Sequence, residues 1–183
     1  MTESTETGGV RDRILNAALA ILREDGIQEL TQVQVARRAG VRQSHLTYYF
    51  PKRHDLLEAV AVRFIDGMER GLREVAAQSA GGDVGELLER LAAAIGEPGH
   101  MRMFTGVVVA ADGDPALRAI IVRETRRVQE LLAGVLGGDD AMQRAGLTMA
   151  AMWGLGFYGF ALGEPTADGS ALLAYLADGS GGA

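Results

Sequence analysis

Cysteine is absent from this sequence, which excludes a disulfide framework, a thiolate nucleophile and any zinc site built on Cys. Histidine is scarce. His45, His54 and His100 show no metal-ligand spacing such as His-x-x-x-His. No long segment alternates polar and apolar residues as strands do. No nucleophile–base spacing, phosphate-binding glycine loop or metal motif occurs, so neither an enzyme nor a cofactor is expected. The opening residues MTESTETGG lack the apolar core of a secretory signal and read as a frayed tail, and the closing DGSGGA reads as disordered. A cytoplasmic protein is expected.

Acidic residues are missing from one stretch in particular. From Thr31 to His54 there is no Asp or Glu, against five basic residues: Arg37, Arg38, Arg42, Lys52 and Arg53. The whole chain nevertheless carries a net charge of -6. Residues 10–63 hold nine Lys or Arg against six Asp or Glu, a net of +3; residues 64–183 hold nine against sixteen, a net of -7. A basic head on an acidic body suggests a polyanionic partner for the head.

What fills the 183 residues is helical pattern. Segments rich in Ala, Leu, Arg and Glu carry apolar residues at three- and four-residue spacing. A first helix is expected from about Val10 to Asp25, with Ile14, Ala17, Ala18 and Ile21 on one face and Gly26 as its stop. Thr31 is a plausible N-cap for a short helix ending at Gly40. Gln43 or Ser44 opens another, which ends at Phe50 because Pro51 disfavours helical geometry before it. Two short helices joined by the tight Gly40-Val41-Arg42 turn make a helix-turn-helix, pinned to the first helix by Val35, Val41, Leu46 and Phe50. A long helix follows over about 53–78, with a break at 79–83. Further helices are expected at about 84–95, 101–111, 115–136, 139–162 and 170–176, separated by Pro98-Gly99, Gly113-Asp114-Pro115, Gly137-Gly138 and Gly163-Glu164-Pro165.

The N-terminal residues resemble the TetR family of transcriptional regulators. The resemblance rests on Gly26, Leu30-Thr31, Val35-Ala36-x-x-Ala39-Gly40-Val41, then Leu46-x-x-Tyr49-Phe50, a basic pair, and Asp55-Leu56-Leu57. It implies an all-α protein with a three-helix DNA-binding head at 10–54 and a ligand-binding and dimerisation body at 55–178. It further implies a homodimer joined through the last two long helices, a palindromic DNA operator, and release of that operator by a small-molecule effector, the behaviour of a repressor. By the family pattern Arg42, Gln43, Ser44, His45, Thr47 and Tyr48 face the DNA. Gln43 suits adenine and His45 a guanine acceptor, while Lys52, Arg53 and Thr31 suit phosphates. Leu46, Tyr49 and Phe50 read as core. Thr47 and His45 depart from the usual residue types of the family.

In the body, Met101, Met103, Phe104, Val107, Trp153 and Phe157 are candidates to line a ligand cavity, since Met and aromatic side chains form adaptable apolar pockets. His100, Arg102, Arg123 and Glu124 are possible polar anchors. Residues 145–163 run without a charge, long enough for a membrane span. Their five glycines and the lack of a basic flanking cluster favour a buried helix at a subunit interface, and no membrane partner is expected. The alternative function is a helical ligand-binding or scaffold protein that does not bind DNA.

Overall fold

Helix α1 (Val10–Glu24) ends where Gly26 takes φ 89° and ψ -179°, a backbone conformation that only glycine adopts without strain. The computed structural model describes residues 9–78, 84–164 and 169–178. A single 3₁₀ turn (Ile27–Glu29) leads to α2 (Gln32–Arg38), whose first turn is capped by the Thr31 hydroxyl accepting from the Gln34 N–H at 3.2 Å. Gly40, at φ 64°, makes the turn into α3 (Gln43–Tyr49). The Gln32 side chain reaches the Phe50 carbonyl at 3.4 Å and ties the start of α2 to the end of α3. Ile14, Ala18, Leu22, Val35, Leu46 and Phe50 bury the shared core of these three helices, as the apolar spacing requires.

Helix α4 (Arg53–Gln78) carries the chain from the head into the body, so the expected boundary at 54/55 falls in the first turn of a continuous helix. It packs chiefly on α7 (Pro115–Leu136), which in turn lies along α8 (Ala141–Leu162). Helices α5 (Val84–Ile95), α6 (Pro98–Ala110) and α9 (Ser170–Asp178) close the sides. Among the described residues every regular element is helical. The expected N-terminal tail to residue 8, the break at 79–83, Pro165 and the tail beyond 178 lie outside the described residues.

Helix α6 departs from expectation at its start. Pro98 opens it rather than separating it from α5, because the Glu97 carboxylate accepts from the Gly99 and His100 N–H groups, both at 3.0 Å. Proline costs nothing at a first helical position, where its missing donor has no partner to lose. Those bonds, then the nearby Arg23, hold the Glu97 carboxyl below the usual glutamate range despite opposing desolvation. Helix α6 meets α1 closely. A side chain on Gly106 would place its Cβ 3.2 Å from Ile27 Cβ and 3.4 Å from a Leu22 methyl, and one on Gly99 would strike Arg23. Between these glycines Arg102 donates to the Arg23 carbonyl at 2.6 Å, on the last turn of α1.

Helix α8 is apolar all round. Ala145, Thr148, Met149, Met152, Gly156 and Gly159 face the body, whereas Leu147, Phe157, Tyr158 and Leu162 are exposed. It is long and apolar enough to cross a membrane by composition alone. Its inward face is occupied by the other body helices: a Cβ on Gly156 would sit 3.3 Å from the Gly96 backbone between α5 and α6.

Candidate nucleic-acid interface and ligand cavity

Helix α3 spends only one side chain on the core. Leu46 is fully buried, while Arg42, Gln43, Ser44, His45 and Tyr48 are exposed and Thr47 is half-buried. Tyr48 is 79% exposed, so the structure presents these residues on one polar face. The Thr47 hydroxyl donates back to the carbonyls of Gln43 (3.1 Å) and Ser44 (3.2 Å), leaving its lone pairs and methyl for a partner. Tyr49 differs from its expected core position. It is 41% exposed, and its ring meets that of Tyr48 edge-on at 5.2 Å. Phe50 takes the buried place at the end of this seven-residue helix and carries the Arg11 guanidinium 5.6 Å above its ring.

The five basic residues of the segment divide into two groups. Arg38 pairs with Glu24 and with Asp25 at 3.5 Å, and Arg37 donates to Gln34 at 3.0 Å. The Arg42, Lys52 and Arg53 side chains have no partner among the described residues. All three are exposed and flank α3 at its two ends, which suits them to polyanionic phosphates. Thr31 stands exposed at the start of α2; its oxygen serves the cap, and its hydroxyl hydrogen is left to donate.

A joint between head and body lies just behind this face. His54, in the first turn of α4, contacts Asp114 through Nδ1 at 2.5 Å and Glu58 through Nε2 at 2.9 Å. Asp114 is also the N-cap of α7, accepting from the Leu117 N–H at 3.0 Å. The bond to Asp114, reinforced by Glu58 and Asp55, raises the His54 pKa above the ordinary histidine value despite opposing desolvation.

A half-open cavity of about 660 Å³ lies between the body helices α4, α5, α6, α7 and α8 and α1 of the head. This volume lies within the usual range for small-molecule sites. Leu19, Phe64, Met68, Leu91, Met149 and Met152 supply much of its apolar wall. Of the six expected lining residues, Met103 and Trp153 face it. Phe104 stacks on Trp153 at 3.8 Å, and together with Val107 they line a smaller adjoining void. Met101 is fully buried, with its sulfur 3.0 Å from the place a Gly156 Cβ would take. Phe157 is 52% exposed on the outer face of α8 and lies off the cavity.

The polar anchors separate in the same way. His100 lines the cavity, its ring 5.0 Å from Phe64 and 5.8 Å from Trp153, and its buried Nε2 has no hydrogen-bond partner. Burial lowers its pKa and favours the neutral imidazole. Arg102 is engaged with α1 instead. Arg123 and Arg127 donate to the 4%-exposed Glu124 at 2.7 and 2.6 Å, and Arg127 also reaches Glu69 of α4 at 3.3 Å. That cluster joins α7 to α4. Arg63, Arg70 and Arg90 border the cavity as well; only the folded arrangement of α4 and α5 brings them together.

Residues 14–60 match the family described as bacterial regulatory proteins, tetR family. Over 49 residues the chain is 41% identical to the HTH-type transcriptional regulator BetI of Serratia proteamaculans (strain 568), which is 27% of this chain and 25% of that protein. The match therefore spans about a quarter of that relative. The whole fold is similar to the crystal structure of a transcriptional regulator from Streptomyces coelicolor A3(2), with a TM-score of 0.73, 26% identity, and coverage of 90% of this chain and 94% of that one. It is also similar to the multidrug binding protein EbrR complexed with proflavin, with a TM-score of 0.68, 23% identity, and coverage of 92% and 99% respectively.

Proposed function

We propose that this chain, whose residues 14–60 match the tetR family and whose fold is similar to that of a transcriptional regulator, is a ligand-released transcriptional repressor that binds a palindromic operator as a homodimer. The observation that carries the reading is the exposed polar face of α3, flanked by Arg42, Lys52 and Arg53 and anchored by Leu46 alone. Gln43 and His45 read base edges in the major groove; Ser44, Thr47 and Tyr48 contact backbone and pyrimidine methyls; Thr31, Arg42, Lys52 and Arg53 hold phosphates. The acidic body repels DNA and leaves the head as the single docking surface.

The exposed apolar side of α8, with Leu147, Phe157, Tyr158 and Leu162, pairs with its copy in a second subunit, which places two heads on two half-sites. The cavity receives the effector, a role supported by the fold shared with a protein described as binding multiple drugs. Helix α6 links the two events, since His100 and Met103 border the cavity while Gly99, Arg102 and Gly106 lie against α1. The domains at 10–54 and 55–178 then divide reading from sensing.

A gel-shift titration against DNA from the protein's own upstream region, at two salt concentrations, tests this reading. Sequence-specific binding with a steep salt slope is expected. Replacing Gln43 and His45 with Ala should abolish discrimination while leaving weak, salt-sensitive binding. A folded dimer with no affinity for DNA would instead leave a helical ligand-binding scaffold.

A further inference from the structure

We propose that the cavity takes a singly charged organic acid, an apolar body carrying one carboxylate, whose headgroup lies between Arg70 of α4 and Arg90 of α5. This rests on the ligand-sensing reading and names the ligand's chemistry. Five charged residues border the cavity: Arg23, Glu24, Arg63, Arg70 and Arg90. Three of them are committed elsewhere. Arg23 pairs with Glu97 at 2.7 Å, Arg63 with Asp12 at 2.9 Å, and Glu24 with Arg38.

The remaining two are cations. Arg70 has no ion-pair or hydrogen-bond partner among the described residues, and Arg90 meets only Glu86, at 3.8 Å. Both are exposed, so they stand at the rim. The Arg70 guanidinium folds back to within 3.9 Å of the place a Gly67 Cβ would occupy, and Gly67 itself borders the cavity. Behind the rim the wall is apolar. Asn16 is held by Arg63 at 3.2 Å, and His100 contributes a ring between Phe64 and Trp153. The result is an apolar chamber with a positive mouth. An organic acid gains from both parts: its body leaves water, and its carboxylate accepts from guanidinium forks. An organic cation of the same size meets two like charges on entry, of which only Arg90 has an acidic neighbour among the described residues.

Trp153 is the only tryptophan in the chain and borders the cavity, so its fluorescence reports occupancy directly. The test titrates the full-length protein with decanoate, decanol and decyltrimethylammonium, each below its aggregation limit. Decanoate is expected to bind saturably and roughly tenfold or more tighter than either of the others. Arg70→Ala with Arg90→Ala should draw the decanoate and decanol affinities together, and Arg70→Glu with Arg90→Glu should turn the preference toward the ammonium. Circular dichroism checks that each variant is folded. Equal or tighter binding of the ammonium by the native protein would overturn the proposal, and so would failure of all three to bind. The operator titration needs no ligand and judges the regulator reading separately: decanoate binding without release of DNA would keep the ligand class and remove effector release.

Discussion

Placing a leucine at Gly106 drives a wedge into the seam between head and body, and its cost follows from three quantities. A Cβ there already lies 3.2 Å from Ile27 Cβ and 3.4 Å from a Leu22 methyl, so Gly106→Ala needs its neighbours to give by a few tenths of an ångström. Against that strain stands the gain of about 1 kcal/mol on removing a helical glycine, and the two nearly cancel for alanine. Leucine adds three more carbons on the same vector. Overpacking of that kind costs roughly 1–3 kcal/mol and occasionally more; with the neighbours already in contact, the upper end applies. The net loss is about 2 kcal/mol, or a fall in Tm of roughly 4–8 °C for a chain of this size. Urea unfolding monitored at 222 nm measures it, with the slope of the transition checked for constancy. Gly106→Ala should fall within about 1 kcal/mol of the native protein. A leucine variant as stable as the native protein would refute the reasoning, because the seam would then have room to spare.

Two further outcomes follow from the geometry. Leu46→Ala removes the sole fully buried side chain of α3 and should cost about 2–5 kcal/mol, with loss of operator binding at temperatures where the body stays helical; a gel shift alongside thermal unfolding checks both. His54 supplies a pH signature. Its pKa is raised first by the bond to Asp114, so its contribution is complete below the ordinary histidine value and disappears as pH rises through the folded one. The stability advantage of the native protein over His54→Gln should therefore be larger near about pH 6 than near about pH 9. Comparison with that variant cancels the buried His100, whose lowered pKa works in the opposite direction. An advantage that does not change with pH would assign His54 no charged role.

Local chemistry made the head legible. Gly26 and Gly40 admit the positive φ that ends a helix, and Pro51 restricts the residue before it, whatever surrounds them, so the helix ends fall within a residue or two of the expected places. Thr31 as a cap needed only its own hydroxyl and the next turn. Tyr49 and Phe50 were harder, because in a seven-residue helix adjacent aromatic residues compete for one buried place and spacing does not choose between them. Pro98-Gly99 reads as a break because Pro-Gly usually marks a turn, yet Glu97 ahead of it is the signal of a cap.

The cavity was legible only in part. Met103 and Trp153 are apolar in a way that invites the expectation, but α8 is apolar on every side, and nothing in its pattern tells the inward Trp153 from the outward Phe157. Its arginines carry no such signal, for a different reason. Arg63, Arg70 and Arg90 look like ordinary solvated helix residues until folding sets α4 and α5 side by side. A site assembled from six helices leaves no contiguous motif.

Helix α4 has a further consequence as a lever. Its 26 residues begin at Arg53 beside the reading face, and Gly67, fourteen residues on, borders the cavity. At the helical rise this arm is about 21 Å long. A tilt of about 5° with its fulcrum at Gly67 would carry the Arg53 end through about 2 Å, and in the homodimer proposed above the two displacements would add. Hydrogen bonds to base edges fail over shorter distances. If the proposed effector binds there, this gearing would turn a rearrangement of a few side chains around a small molecule into a mismatch of pitch between two heads and a double helix that cannot stretch to follow them.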